Sequence, residues 1–375
     1  MVPAADPEDV PFGSVGDAER AAEAVLPADV WDFVAGGSGR ETTLAANRAA
    51  LDRVFLIPRV LRDVSACDTA TTLLGRPVSQ PLAVAPVAYQ RLVHPDGEEA
   101  TARAAAAAGV PFVASTLSSA PIERIAAAGG TIWFQVYWLR NTGTVLDLVR
   151  RAEDAGCRAI VLTVDVPWMA RRLRDIRNGF ALPEHVRAGN LTTTATAHQR
   201  TAGSALAAHT SQEFSPAITW SAVDLLRRHT RLPVVLKGVL AAEDARRAVE
   251  LGVDALVVSN HGGRQLDGAI PSIDALAEVV EAAGRSTEVL LDSGIRGGTD
   301  VLRALALGAA GVLVGRPAVW GLAAGGERGV HRVLELFGAE LRDAMGLAGC
   351  DTVMAARRLR TVSDRDERIV VPIAG

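Results

Sequence analysis

Val257-Val258-Ser259-Asn260-His261-Gly262-Gly263-Arg264-Gln265-Leu266-Asp267-Gly268 begins as an apolar run and then breaks into glycines. The apolar half reads as a buried strand and the break as the turn that ends it. One imidazole and one guanidinium sit at that break, three residues apart. A catalytic pair at the end of a barrel strand has this pattern. Taken alone, the stretch also reads as an ordinary strand-to-helix turn with a solvated His261 and Arg264. The rest of the chain has to decide.

Runs of the same kind recur on both sides, at 82–86, 111–116, 132–137, 159–165, 233–238, 255–260, 288–294 and 311–315. Alanine-rich helical stretches fill the intervals, at 98–108, 121–128, 142–155, 222–229, 242–250, 272–283 and 299–307. The runs are continuous rather than alternating, as in parallel strands covered on both faces. Eight strand–helix units in about 240 residues predict an α/β fold, a (β/α)8 TIM barrel. An open doubly wound sheet is the alternative, but no strand leads into Gly-x-Gly-x-x-Gly and a helix.

Ahead of the barrel, short helices at 17–25, 27–35 and 41–51 predict an N-terminal helical extension, followed by an extended segment at 54–58. Residues 1–16 read as a flexible tail and 17–375 as a single barrel domain. One interval breaks the rhythm, 166–232, whose middle is rich in Thr, Ala, Ser and His. A loop of this length is a lid or a mobile linker. It leaves the C-terminal end of the fourth strand, so a lid over the active site is expected at about 185–216.

Composition narrows the function. The chain has 375 residues, 49% of them hydrophobic, and a net charge of −4 with both signs mixed along it. There is no basic stripe and few aromatics, which argues against nucleic acid. No apolar run is long enough for a membrane span, and the acidic, Pro-rich start does not resemble a signal peptide. Cys67, Cys157 and Cys350 are few, odd in number and far apart, so a reduced, cytoplasmic setting is expected. No metal site is expected.

The strand ends carry the chemistry. In order they bring Ala85-Pro86-Val87-Ala88, Ser115-Thr116, Gln135-Val136-Tyr137, Thr163-Val164-Asp165 with Arg171-Arg172 beyond, Lys237-Gly238, Ser259-Asn260-His261 with Arg264, Asp292-Ser293-Gly294-Ile295-Arg296-Gly297-Gly298, and Gly315-Arg316-Pro317. Cations converging on one mouth suggest an anionic ligand. Gly294, Arg296, Gly315 and Arg316, after the last two strands, have the makings of a phosphate site, because a helix N-terminus and guanidinium groups attract anions there. The glycines also suit plain tight turns. Lys237 suits a Schiff-base nucleophile, as in barrel aldolases, or a cation facing negative charge on a cofactor. Spacing leaves both readings open.

Ser259-Asn260-His261-Gly262-Gly263-Arg264-Gln265-Leu266-Asp267-Gly268 resembles the signature of the FMN-dependent α-hydroxy acid oxidases and dehydrogenases, which include glycolate oxidase, lactate oxidase and mandelate dehydrogenase. The other strand ends match the family's blocks in order, from about Asp17 to the C-terminal helix. The resemblance implies FMN as cofactor and oxidation of an (S)-2-hydroxy acid to the 2-oxo acid, with O2 reduced to hydrogen peroxide. It implies that His261 is the base and that Asp165 steadies its protonated form. Arg172 and Arg264 would grip the substrate carboxylate, a geometry suited to a guanidinium fork. Tyr137 would hydrogen-bond the substrate oxygen, and Lys237 would face the flavin edge where negative charge gathers. Val87, Ala88, Ser115, Gln135 and Thr163 would hold the ring. Ser259 and Asp292 would meet the ribityl chain, and Gly294, Arg296, Gly315 and Arg316 the phosphate. A homotetramer or octamer of barrels is also implied.

Two departures bear on the substrate. Phe33 stands where the family usually has a tyrosine that contacts the carboxylate, so Arg172 and Arg264 must carry more of the anion. Leu117 stands where glycolate oxidase has tryptophan, which opens the pocket. Met169 lines that pocket or belongs to the core; a thioether packs well on aromatic rings. Trp168-Met169-Ala170-Arg171-Arg172 and Ala88-Tyr89-Gln90-Arg91-Leu92 resemble the family's 4-hydroxymandelate-oxidising branch, so (S)-mandelate or 4-hydroxymandelate is the expected substrate. The alternatives are a lactate or glycolate oxidase, a quinone- or carrier-linked dehydrogenase, or a phosphate-binding barrel aldolase or isomerase using Lys237.

Overall fold

The computed structural model describes residues 12–191, 198 and 210–363. Eight parallel strands form a closed barrel: β1 Leu82–Val84, β2 Phe112–Ala114, β3 Ile132–Val136, β4 Ile160–Thr163, β5 Val234–Val239, β6 Ala255–Val258, β7 Glu288–Leu291 and β8 Gly311–Val314. Each pairs with its neighbours in chain order, and β8 closes on β1 through Val312↔Leu82 and Val314↔Val84.

Alternation explains why the apolar runs are continuous. Val113, Trp133, Val161, Val235, Val257, Leu290 and Leu313 pack in one cluster, while Phe112, Phe134, Ile160, Leu162, Leu236 and Leu291 pack in another shared with the helices. Successive side chains point to opposite faces, and here both faces are covered. Every strand is shorter at its C-terminal end than its apolar run suggested, except β5. At two of those ends the backbone turns into the left-handed region, with φ 60° at His261 and 76° at Ser293. Ser115, Tyr137, Asp165, His261, Asp292 and Arg316 therefore stand just beyond the sheet, whereas Gln135, Thr163 and Lys237 lie within their strands.

The exception has a local cause. The register of β5 against β6 shifts between Lys237 and Val239. Gly238 occupies the bulge with φ 115°, and a Cβ there would lie 2.6 Å from the Cβ and Cγ of Asp165. Only glycine accepts that backbone and that approach. The bulge thus makes room for a functional side chain on the neighbouring loop.

The N-terminal extension begins earlier than expected. Ser14 caps the helix Val15–Val25 by accepting from Asp17 N at 3.2 Å, and Phe12 and Val15 are buried. Arg332 donates to the Phe12 carbonyl at 3.1 Å. Apolar burial and a cap hold residues 12–16, which the sequence reading gave to the tail; residues 1–11 lie outside the described residues. Helices Ala28–Ala35 and Thr42–Asp52 follow, and strand Val54–Ile57 pairs antiparallel with Arg360–Ser363.

One hairpin escaped the sequence reading, Thr71–Leu73 with Arg76–Val78. Leu73 and Val78 join the inner barrel cluster. Its signal was Gly75, which with Leu74 takes positive φ at the turn. After β8, helix Arg316–Leu347 runs on, broken at Gly325 and Gly326.

The long interval after β4 is only partly a loop. Leu173–Asn178 is helical, and Phe180, Leu182 and Val186 are buried. Asn190 accepts from Ile122 N at 2.9 Å and donates to Ser115 O at 3.3 Å, which ties the first part of the expected lid to the end of β2. Residues 192–197 and 199–209 lie outside the described residues. On return, Phe214 bridges to Leu139 and Ser215 N donates to Trp138 O at 2.9 Å, before helix Trp220–His229.

Candidate active site

The ends of β4, β5, β6 and β7 bring one imidazole, two carboxylates and one ammonium together. His261 Nδ1 lies 3.0 Å from Asp165 Oδ1. Enclosure pushes the imidazole below its ordinary pKa, and the attraction of Asp165 only partly opposes this. Burial would raise Asp165, but His261 holds its carboxyl below the usual range. The pair therefore rests as ionised Asp165 and neutral His261. Nδ1 then carries the proton, and Nε2 is left with a free lone pair.

Lys237 is buried and ion-paired with Asp292 at 2.9 Å; it also donates to Ser259 Oγ at 3.0 Å. Burial alone would lower it, but Asp292 and Asp165 outweigh burial and hold it above its ordinary value. Ser259 Oγ also accepts from His261 N at 3.1 Å, so one hydroxyl joins the His261 backbone to the ammonium. Beneath the mouth, Ser115 donates to Gln135 Oε1 at 3.2 Å and Gln135 donates to Thr163 Oγ1 at 3.0 Å.

A cleft opens above these groups. Its wall includes Phe33, Val87, Ala88, Leu117, Tyr137, Met169, Arg172, Lys237, His261, Arg264, Asp292, Gly294, Arg296, Gly315 and Arg316. Asp165, Ser115, Gln135, Thr163 and Ser259 do not line it. Asp165 stands behind His261, and the other four are buried beneath.

Four guanidinium groups face this one cleft, and none forms a salt bridge with any described residue. Burial and mutual repulsion push Arg172 and Arg316 below their ordinary pKa, and burial does the same to Arg264 and Arg296. Arg172 is 8% exposed, and its Nε is buried without a hydrogen-bond partner. Enclosed cations left uncompensated demand anions from elsewhere. The arrangement fits two anions, a phosphate near Arg296 and Arg316 and a carboxylate near Arg172 and Arg264.

A sequence profile of the FMN-dependent dehydrogenases matches residues 22–362. The chain belongs to this family. Among relatives of this FMN-dependent dehydrogenase, a 4-hydroxymandelate oxidase from Amycolatopsis orientalis is 63% identical over 93% of this chain and 98% of its own length. Human 2-hydroxyacid oxidase 1 is 45% identical over 90% of this chain and 93% of its own length. The solved structure of a mandelate oxidase with (S)-4-hydroxymandelic acid superposes with a TM-score of 0.93 at 62% identity, covering 94% of this chain and 99% of that one. FMN is the cofactor of the family and of this chain. The site suits it: a polar ring would meet Lys237, with the Ser115–Gln135–Thr163 network beneath, and its phosphate the arginines at the ends of β7 and β8.

Several contacts of this FMN-dependent dehydrogenase were not legible beforehand. Phe214 stacks on Tyr137 with ring centroids 4.4 Å apart. Thr210, Val166, Gln265 and Ser293 also line the cleft. Asp175 is buried and acts electrostatically on both Arg172 and Arg264. Trp320 carries the Arg296 guanidinium over its ring at 4.7 Å. Arg316 was expected on the phosphate, yet three of its N–H groups donate to Val34 O, Gly36 O and Gly262 O, leaving two for an anion. Arg264 Nη1 likewise donates to Phe33 O and Gly36 O, at the negative end of helix Ala28–Ala35.

Proposed function

We propose that this FMN-dependent 2-hydroxy acid oxidase converts (S)-mandelate or (S)-4-hydroxymandelate to the corresponding 2-oxo acid, with O2 as acceptor and hydrogen peroxide as product. The observation that carries the aryl substrate is the apolar wall of Leu117, Val166, Met169 and Phe214 beside Arg172. A phenyl face, branched aliphatic side chains and a thioether suit an aromatic ring. The names of the 4-hydroxymandelate oxidase and mandelate oxidase relatives support the same choice.

Bound FMN would take the two electrons that leave the substrate's C2 and pass them to O2. Arg172 and the Nη2 group of Arg264 bind the substrate carboxylate as a two-sided clamp. Burial pushes the Tyr137 phenol up to about 12, so it stays protonated and donates to the substrate oxygen. His261 Nε2 takes the proton, from C2 or from the hydroxyl, and Asp165 stabilises the imidazolium that results. Lys237 supplies positive charge to the ring, and Asp292 with Ser259 keeps its ammonium in place. Val87 and Ala88 with Ser115, Gln135 and Thr163 support the ring; Gly294, Arg296, Gly315 and Arg316 serve the phosphate end. The interval 185–216 is assigned the role of cover over the mouth.

Anaerobic mixing with a panel of 2-hydroxy acids tests the substrate. (S)-Mandelate and (S)-4-hydroxymandelate are expected to bleach the flavin fastest, with glycolate slow and O2 returning the colour with peroxide. Leu117→Trp should lower the mandelate-to-glycolate ratio of kcat/KM by about 10-fold or more. Equal bleaching by glycolate in the native enzyme would sink the aryl assignment. Failure of O2 to reoxidise would favour a carrier-linked dehydrogenase.

The location and assembly are likewise assigned as cytoplasmic and homotetrameric or octameric. None of the three cysteines is disulfide-bonded, which supports a reducing compartment. No helix among the described residues is long and apolar enough to cross a membrane. Val60, Leu61, Leu347 and Met354 are apolar and exposed, which supports burial between copies. Light scattering on the purified enzyme should give a mass of at least four chains; a monomer would refute the assembly.

A further inference from the structure

Two loops hold the chemistry of this site. Residues 165–172 follow β4 and carry Asp165, Met169 and Arg172; residues 259–268 follow β6 and carry His261 and Arg264. Besides the His261–Asp165 contact, one side chain of the second loop makes three hydrogen bonds to the backbone of the first. Gln265 is buried, and its Nε2 donates to Asp165 O at 2.8 Å and to Trp168 O at 3.0 Å. Its Oε1 accepts from Ala170 N at 3.2 Å. The two carbonyls and the one N–H facing it fix the amide's orientation, and both of its N–H groups are used.

These partners are backbone groups of the turn that presents Asp165. Asp165 is thereby held on two sides. Gln265 grips its carbonyl, and Gly238 leaves the space into which its Cβ and Cγ fit. Between those restraints Asp165 Oδ1 meets His261 Nδ1 at 3.0 Å. The same amide anchors the turn just ahead of Arg172, so the spacing of Arg172 from Arg264 also passes through it.

We infer that Gln265 is a positioning residue that sets Asp165 against His261 and so tunes the proton affinity of the base. This rests on the reading of His261 as the base. Asp165 raises the imidazole's proton affinity against burial and against the nearby charges of Lys237 and Arg172, all of which lower it. Loosening Asp165 therefore leaves burial less opposed, and the base weakens.

Gln265→Met keeps length and apolar bulk but removes both donors and the acceptor. In the FMN-loaded enzyme, kcat is expected to fall about 10- to 100-fold, as when outer partners of a site are removed. The acid limb of the kcat/KM–pH profile should move down by about half a unit or more. Flavin content should stay at the native level. An unchanged kcat and limb would overturn the inference. So would a kcat that falls only in step with flavin content and Tm while the limb stays put, since that is what structural glue alone would do. If the Met variant does not fold, Gln265→Asn keeps the amide but draws it back by one methylene from Asp165 O and Trp168 O. Its limb should likewise move down, and an unmoved limb overturns the inference again. His261→Asn separates the two readings. A turning-over His261→Asn enzyme removes the base and this inference with it, whereas a dead one beside an unaffected Gln265→Met removes the inference alone.

Discussion

His261→Asn is expected to lower kcat by about two to four powers of ten while FMN remains bound at native stoichiometry. Asparagine is the right probe because His261 sits at φ 60°. It tolerates the left-handed region better than most residues, so the loop should hold its path, whereas alanine would add backbone strain. FMN should stay because, Ser259 apart, the groups assigned to it stand on other strand ends: Lys237 and Asp292, the Ser115–Gln135–Thr163 network, Arg296 and Arg316. The native enzyme's kcat/KM should rise with pH along a limb set by His261, which must be neutral to accept a proton. Enclosure lowers its pKa, so that limb lies below the ordinary histidine value of about 6.5. The same limb should vanish from the residual rate of the variant. A His261→Asn enzyme with near-native kcat, or one that keeps the limb, would take the base role away from His261.

The barrel was legible because its strands are covered on both faces, so each one writes an unbroken apolar run. The strand ends were legible for a related reason. Lys237, His261, Asp292 and the arginines interrupt those runs where a buried strand has no other use for charge. What stayed hidden depends on contacts between distant segments. Phe214 lies in a stretch rich in small and polar residues, and nothing local says that it pairs with Leu139 and stacks on Tyr137. Gln265 looked like part of a turn, and its partners belong to a loop about 100 residues earlier. That the carbonyls of Val34 and Gly36 also engage Arg316 was hidden, because they arrive only with the folded extension.

Phe33 shows the same limit from another side. Its missing hydroxyl was legible. Its ring turns out to lie beneath both arginines, 5.9 Å from Arg172 and 5.3 Å from Arg264, and against Phe180 at 4.6 Å with the planes 9° apart. The aromatic face thus partly compensates two like charges that would otherwise repel each other across the clamp. A tyrosine would offer the same face plus a hydrogen bond. Here the face remains, and recognition of the carboxylate falls to the guanidinium groups.

That concentration of function makes Arg172→Leu the second large effect, with stability and activity moving in opposite directions. The Arg172 side chain is enclosed, its Nε has no partner, and the nearby Arg264 disfavours its charge. Asp175 offsets this only in part, since burial pushes its own carboxyl up. Replacing the arginine with an apolar residue removes a desolvated charge and its repulsion from Arg264. Such replacements are often neutral or stabilising, so a Tm equal to or a few degrees above the native value is expected. Catalysis should suffer, because half of the clamp is gone and the substrate carboxylate enters beside leucine. Truncating one partner of an enclosed charge pair costs about 2–5 kcal/mol, so kcat/KM for (S)-mandelate should fall about 10²- to 10³-fold. Arg172→Lys should recover only part of this, since an ammonium cannot make the parallel pair of bonds that a guanidinium makes. The neutral amide of mandelate supplies the internal control. If Arg172 acts through the substrate's charge, the native enzyme prefers acid over amide, and the leucine variant loses most of that preference. A variant that keeps the preference, or whose kcat/KM falls only as its Tm falls, would show that the carboxylate is bound elsewhere.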